Sequence, residues 1–94
     1  MPLALRLDVG DRVEAGSVML SAVRRGSVVL LEASWPAFPS HPHADIFPGN
    51  YVAIGEVRID VDRRPKRCAI LARIAAPDTV VIRRISRGNP RRIA

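Results

Sequence analysis

Two histidines and an aspartate are the residues of this sequence whose types and spacing could do chemistry. His41, His43 and Asp45 alternate with Pro42 and Ala44 in an H-x-H-x-D pattern. Imidazole nitrogens and a carboxylate are ligands that Zn²⁺ accepts. A fourth ligand is missing nearby in the sequence, and the proline restricts the backbone between the two histidines. The pattern therefore favours a solvated loop over a metal site, and we predict neither a metal nor another cofactor.

Carboxylates and serines do not form a recognisable catalytic pattern either. The carboxylates Glu14, Glu32, Glu56, Asp60 and Asp62 are scattered over the polar sides of predicted strands, and no two of them suggest an acid–base pair. No serine lies in a G-x-S-x-G context. Glycine patterns that bind phosphate or dinucleotides are also missing. We therefore predict that the protein is not an enzyme and that it acts by binding.

The net charge of +6 is carried almost entirely by arginine, with Lys66 as the one lysine. A basic chain favours acidic partners such as nucleic acid. Through most of the chain the arginines are interleaved with Asp and Glu, and only residues 83–92 are one-sided. Proteins that bind single-stranded nucleic acid also use exposed aromatic residues on which bases stack. Here the tryptophan and both phenylalanines fall in one proline-rich segment, so nucleic acid is the less favoured partner.

Length and composition indicate one small domain with an aliphatic core. The chain has 94 residues, of which 48% are hydrophobic and 4% aromatic. The single cysteine, Cys68, excludes an internal disulfide and lies in an apolar run, so a buried thiol is expected. No apolar run approaches the ~20 residues of a membrane span, and the first residues show no signal-peptide pattern. A cytoplasmic location is the expectation.

Alternation of apolar and polar residues predicts a mainly β fold. Strands are predicted at 3–9 and 12–14, which would form a hairpin, and at 28–31, 51–62, 67–75 and 79–82. The apolar phase changes at Gly55-Glu56, which predicts a β-bulge or a kink there. The segments Val13-Glu-Ala-Gly16 and Val52-Ala-Ile-Gly55 echo each other, which leaves an internal duplication open.

One short helix is predicted at residues 17–25. Ser17 is a good N-cap residue, and Leu20 and Val23 are spaced to share a helical face. Gly26 is a common residue immediately after a helix. A strand is the alternative, because the apolar residues of this stretch also alternate.

Two segments are predicted to lack regular structure within a single domain that spans residues 1–84. Residues 33–50 contain four prolines and are predicted to form a long loop. Residues 85–94 are basic and are expected to form a disordered tail.

Four stretches of the sequence resemble a known family. They are Leu3–Gly10, Gly16–Leu31, Gly55–Asp60 and Ala69–Ile74. Together they resemble the SpoA (surface presentation of antigens) family, found in the flagellar motor switch and in the cytoplasmic ring of type III secretion systems. The residues that match its helix-to-strand segment are Leu20, Val23, Gly26, Val28, Val29 and Leu31. Those that match its later G-E-x-x-V strand are Gly55, Glu56 and Val57.

The resemblance implies a small SpoA-like β-barrel in which two copies exchange strands. Such a domain does no chemistry, and it assembles the cytoplasmic ring, or sorting platform. The implied partners are another SpoA domain, in a homodimer or heterodimer, and the stator/ATPase-regulator subunit. The ring lies at the cytoplasmic face of the secretion apparatus and associates peripherally with the inner membrane without inserting. The residues expected at the partner or dimer interface are apolar: Leu5, Leu7, Leu20, Val23, Val28, Leu30, Val57, Ile59, Val61, Trp35 and Phe38.

An alternative resemblance covers only the C-terminal half of the chain. Val52–Val61 and Ala69–Arg84 are similar to the carbon storage regulator family, whose small swapped dimers bind mRNA. The His-Arg-Glu ending of that family is replaced here by Ile82-Arg83-Arg84. The two hypotheses differ at residues 17–25, where a helix supports the SpoA assignment. A strand there would support the internal repeat and the regulator-like alternative.

Overall fold

A computed structural model describes residues 2–35, 43–64 and 68–86. In those residues the chain forms nine strands and no helix. The strands are β1 (Leu3–Asp8), β2 (Arg12–Ala15), β3 (Val18–Arg25), β4 (Val28–Ser34), β5 (His43–Ile46), β6 (Tyr51–Ile54), β7 (Val57–Val61), β8 (Ala69–Ala75) and β9 (Ile82–Ser86). They build a four-stranded sheet in the order β1-β8-β7-β6 and a five-stranded sheet in the order β5-β4-β3-β2-β9, both antiparallel. The prediction of a mainly β protein is confirmed.

An aliphatic core fills the space between the two sheets. Alternate residues of β2, β3, β7 and β8 point inward and are buried, as expected for sheets with one covered face. The largest buried side chains include Leu7, Ile59, Ile70 and Ile74 from the four-stranded sheet and Leu20, Leu31 and Ile46 from the five-stranded sheet.

Three hairpins share one kind of turn. Two-residue loops join β2 to β3, β3 to β4 and β6 to β7, and each begins with a glycine: Gly16, Gly26 and Gly55. The φ angles of these glycines are +63°, +66° and +62°. Turns whose twist matches antiparallel strands need a positive φ at this position, which glycine adopts at little cost. The predicted bulge at Gly55-Glu56 is therefore wrong, because this pair is a turn between two strands.

The helix predicted for residues 17–25 is also wrong. This stretch is strand β3, and Val18, Leu20 and Ala22 are buried on its inner side. Gly26 serves a hairpin turn there rather than the end of a helix. Hairpin pairing with β2 on one side and β4 on the other decides the conformation, since the signals within residues 17–25 fit both structures. Strand exchange between two copies stays a prediction, and each of the nine strands pairs within the single chain.

The predicted hairpin of residues 3–14 does not form, because β1 and β2 lie in different sheets. Asp11 holds the chain where it leaves the first sheet. Its carboxylate accepts the N–H of Asp8 at 2.9 Å, and its own N–H donates to the Asp8 carbonyl at 2.9 Å. Gly10 and Asp11 then bond to Ala22 of β3, at 2.8 and 3.1 Å.

The predicted loop at residues 33–50 is shorter than expected. Strand β4 continues to Ser34, and His43–Ile46 form β5, which pairs with β4. Phe47 to Asn50 then form a turn closed by a 3.0 Å bond from the Asn50 N–H to the Phe47 carbonyl. Residues 36–42 lie outside the described part of the chain.

Smaller differences concern the C-terminal third. The strand predicted at 67–75 begins at Ala69, and Cys68 before it is exposed, so the expectation of a buried thiol is wrong. The strand predicted at 79–82 is instead β9, Ile82–Ser86, which takes up the first residues of the predicted tail. Residues 87–94 fall outside the described residues.

Candidate partner-binding groove

A groove lies where a hairpin turn of the five-stranded sheet comes close to a hairpin turn of the four-stranded sheet. The β2–β3 turn belongs to the five-stranded sheet and the β6–β7 turn to the four-stranded sheet. The groove between them has a volume of about 430 Å³. Its lining residues are Gly16, Ser17, Val18, Trp35, Ile54, Gly55, Glu56, Val57 and Val80.

Backbone hydrogen bonds fix the positions of the groove walls. The Gly16 N–H donates to the carbonyl of Val81 at 3.0 Å, which ties the first turn to the segment before β9. The Val80 N–H donates to the Pro77 carbonyl at 3.0 Å and so shapes that segment. A Cβ atom on Gly16 would lie 3.3 Å from Cγ1 of Val80, a tight contact, and the φ of +63° favours glycine in any case.

The groove is of mixed chemistry, with more apolar than polar surface. Its walls carry aliphatic side chains and Trp35, and its polar side chains are Ser17 and Glu56. The volume falls in the range of ligand sites in proteins, about 300–1,000 Å³. Beside the groove, Val81 is 68% exposed, the highest value among the large hydrophobic residues that the structure describes. The arrangement can take up a small apolar group beside Trp35.

The echo in the sequence coincides with the groove. Val13-Glu-Ala-Gly16 and Val52-Ala-Ile-Gly55 each contain the end of a strand and the first residue of its turn. Both turns line the same groove. The repeated glycine was the signal that could have located this site, although Val80 gave no signal of its own.

The residues predicted at an interface occupy different environments. Six are buried in the folded chain: Leu7, Leu20, Leu30, Val57, Ile59 and Val61. Leu5, Val23 and Trp35 are half-buried, and Val28 is exposed. Phe38 lies outside the described residues. Of this set the groove brings together Trp35 and Val57, and the interface role of the others stays a prediction.

Leu30 is fully buried although it lies on the outer face of the five-stranded sheet. It pairs with Val23 between the inward residues of β4. Arg25 lies on the same face and reaches Glu32 at 2.7 Å and Asp45 at 2.6 Å. The cross-strand pair of Val23 and Leu30 lies between Arg25 and both carboxylates. The Arg25 side chain must therefore pass over Leu30 to reach them. The hydrogen bond to Asp45 is the main cause that raises the pKa of Arg25 above its ordinary value.

The outer face of the four-stranded sheet carries an aromatic–arginine pair. The guanidinium carbon of Arg58 lies 4.0 Å from the ring centre of Tyr51, which is 58% exposed. Arg58 also pairs with Asp60 at 3.2 Å, and this hydrogen bond is the main cause that raises the pKa of Arg58. The exposed Tyr51 ring offers a surface on which a flat group can stack, but the charge of Arg58 is already paired with Asp60.

Only part of the histidine pattern falls within the described residues. His43 and Asp45 lie on the edge strand β5, and His41 is outside the described residues. Asp45 is engaged by Arg25. Among residues 2–35, 43–64 and 68–86, no group of three or more His, Cys, Asp or Glu is placed to hold a metal ion.

Comparisons with known proteins give no assignment. No family model, no curated protein and no solved structure matches this chain. In the described residues, no helix has the length and apolar character needed to cross a membrane.

Proposed function

We propose that this protein is a non-enzymatic assembly module that binds an apolar side chain of a partner protein in the groove between its two turns. The observation that carries the proposal is the groove itself, with aliphatic walls, Trp35 at its side and the exposed Val81 next to it. Interfaces between proteins commonly place one large apolar anchor of the partner in such a pocket.

The finer proposal is that the module belongs to the cytoplasmic ring of a type III secretion system. It is supported by the SpoA-like sequence segments, one of which, beginning at Gly55-Glu56, contributes to the groove. The strand at residues 17–25 removes the helix on which part of that resemblance rested. In this proposal another SpoA domain or the stator/ATPase-regulator subunit supplies the apolar anchor.

A binding titration tests the groove. The intrinsic fluorescence of Trp35, the one tryptophan, reports on its occupancy while a purified SpoA domain or stator/ATPase-regulator subunit is added. Val80→Asp places a charge in the apolar wall, and we expect it to weaken binding about tenfold or more, because the charge must be desolvated. Phe47→Asp, at an exposed apolar position that does not line the groove, is the control and keeps wild-type affinity.

The outcomes separate the two levels of the proposal. Equal affinity of Val80→Asp and wild type, with both variants folded by circular dichroism, would show that the groove is not the binding site. Failure of the wild-type chain to bind either ring component would remove the secretion-ring assignment.

RNA binding is the alternative, and two observations favour it. Residues 17–25 form a strand, and Tyr51 is exposed on a sheet face beside Arg58. The assay is a gel shift with a GGA-containing RNA hairpin at low salt. A shift that weakens as salt is added, and that Tyr51→Ala abolishes, would establish this alternative.

A further inference from the structure

Among the described strands, β1 lies at the edge of the four-stranded sheet, and its hydrogen-bond pattern shows which of its backbone groups face away from β8. The Val9 N–H donates to the Cys68 carbonyl at 2.9 Å, so this pair is a hydrogen-bonded pair of the antiparallel ladder. Such pairs occur at every second position. Leu7, Leu5 and Leu3 therefore bond to β8, and the N–H and C=O groups of the residues between them point away from the sheet.

At one end of this edge, the outward backbone groups of Asp8 are already bonded to Asp11. The Asp8 N–H donates to the Asp11 carboxylate, and the Asp8 carbonyl accepts the Asp11 N–H, both at 2.9 Å. The free part of the edge is thus the N–H and C=O of Ala4 and of Arg6. In the part of the chain that the structure describes, neither residue has a strand partner on that side.

In one antiparallel register, these four groups can form hydrogen bonds with the same four groups of a second copy. With Leu5 on the two-fold axis, Ala4 lies opposite Arg6 of the second copy, and each such pair exchanges two hydrogen bonds. All four of these groups are then bonded. Moving the axis to Ala4 would set the Arg6 carbonyl opposite Pro2, which has no N–H. Moving it to Arg6 would set two arginines opposite each other and Ala4 opposite the occupied Asp8.

The side chains on the inner side of β1 suit the same register. Leu3 is 43% exposed and Leu5 is half-buried, although both lie on the face that packs against the core. In the paired arrangement Leu5 meets Leu5 of the second copy, and Leu3 lies opposite Leu7. Both are pairs without hydrogen bonds, where the side chains come closest.

We propose that two copies of this chain pair along β1 into one continuous sheet, with the two-fold axis at Leu5 and without exchange of strands. The dimer is closed, because the pairing consumes this edge in both copies. No residue of β1 lines the groove, so self-association and partner binding can fail independently.

Proline substitution tests the hydrogen bonds without removing any that the folded chain uses. Ala4→Pro deletes an outward N–H and places a ring at the dimer interface, and proline is tolerated on edge strands. Arg6→Ala keeps the backbone groups and serves as the control. In sedimentation equilibrium from low micromolar to near-millimolar concentration, we expect the mass of wild type and Arg6→Ala to rise to two chains and stop there. Ala4→Pro should remain at one chain with an unchanged circular dichroism spectrum.

Disulfide trapping tests the register. In a Cys68→Ser background, Leu5→Cys places two thiols at a close cross-strand pair, and Leu3→Cys does not. Leu5→Cys should cross-link about tenfold faster or more, since disulfides need Cα atoms within roughly 7 Å. The proposal is overturned if wild type stays monomeric, if its mass grows beyond two chains, if Ala4→Pro dimerises normally, or if Leu3→Cys cross-links as fast as Leu5→Cys.

Discussion

Replacing Asp11 by alanine is expected to destabilise the fold by about 2–4 kcal/mol. The Asp11 side chain is 6% exposed, and its carboxylate accepts the Asp8 N–H at 2.9 Å and Arg84 Nη1 at 3.1 Å. Hydrogen bonds to a charged group contribute roughly 1.5–3 kcal/mol each. The bond to Arg84 contributes less than that to Asp8, because the arginine side chain is 31% exposed and solvent screens it. Against a total stability of about 5–15 kcal/mol for such domains, the loss is large.

Urea unfolding followed by circular dichroism measures the effect. Asp60→Ala is the control, since its pair with Arg58 is exposed and its loss should leave the free energy of unfolding unchanged within error. Asp11→Asn keeps an oxygen acceptor for the Asp8 N–H, so its stability should lie between those of wild type and Asp11→Ala. If Asp11→Ala proves no less stable than Asp60→Ala, Asp11 does not hold the crossing between the sheets.

Two further pairs of variants test the turns and the core. Gly26→Ala should cost about 1 kcal/mol in unfolding free energy because only the positive φ opposes the substitution. Gly16→Ala should cost more and should also change the tryptophan fluorescence, because its Cβ would press on Val80 in the groove; equal costs would contradict that close contact. Leu20→Ala should cost about 2–5 kcal/mol, since the side chain is fully buried between the sheets. Val28→Ala, at an exposed position, should cost less than about 0.5 kcal/mol, and a Leu20→Ala loss that small would mean the core is assigned incorrectly.

Individual strands could be predicted from the sequence because each sheet has one covered face. Alternation at 3–9 predicted β1 nearly to its end, whereas the strand predicted at 51–62 is two strands, β6 and β7, joined by a turn. The same rule applied to Val18, Leu20 and Ala22, but Ser17 and Gly26 fit a helix equally well. A glycine with positive φ follows a helix or begins a hairpin turn, and only the pairing of β3 with both neighbours distinguishes the two.

Strand partners and the groove could not be predicted, since both depend on contacts between distant segments. Nothing in the alternation of β1 indicates that Leu5 lies opposite Ala72 rather than beside β2. The groove likewise combines two turns, Trp35 and Val80 from four separate parts of the chain. Local patterns report which side of a strand is covered, and they contain no information about what covers it.

The pairing of the first strand with the eighth has a consequence for how the chain folds. The chain crosses from one sheet to the other three times. The partner of β1 lies more than sixty residues further along the chain, since Leu5 is opposite Ala72. During synthesis the hairpins β2–β3–β4 and β6–β7 can form as they emerge, while β1 has no partner until β8 follows. Closing such long loops before any contact is gained slows folding, and proteins dominated by distant strand pairs fold in roughly milliseconds to seconds. Docking of β1 onto β8 is therefore the step that we expect to set the folding rate, and until it occurs the alternating leucines of β1 stay uncovered.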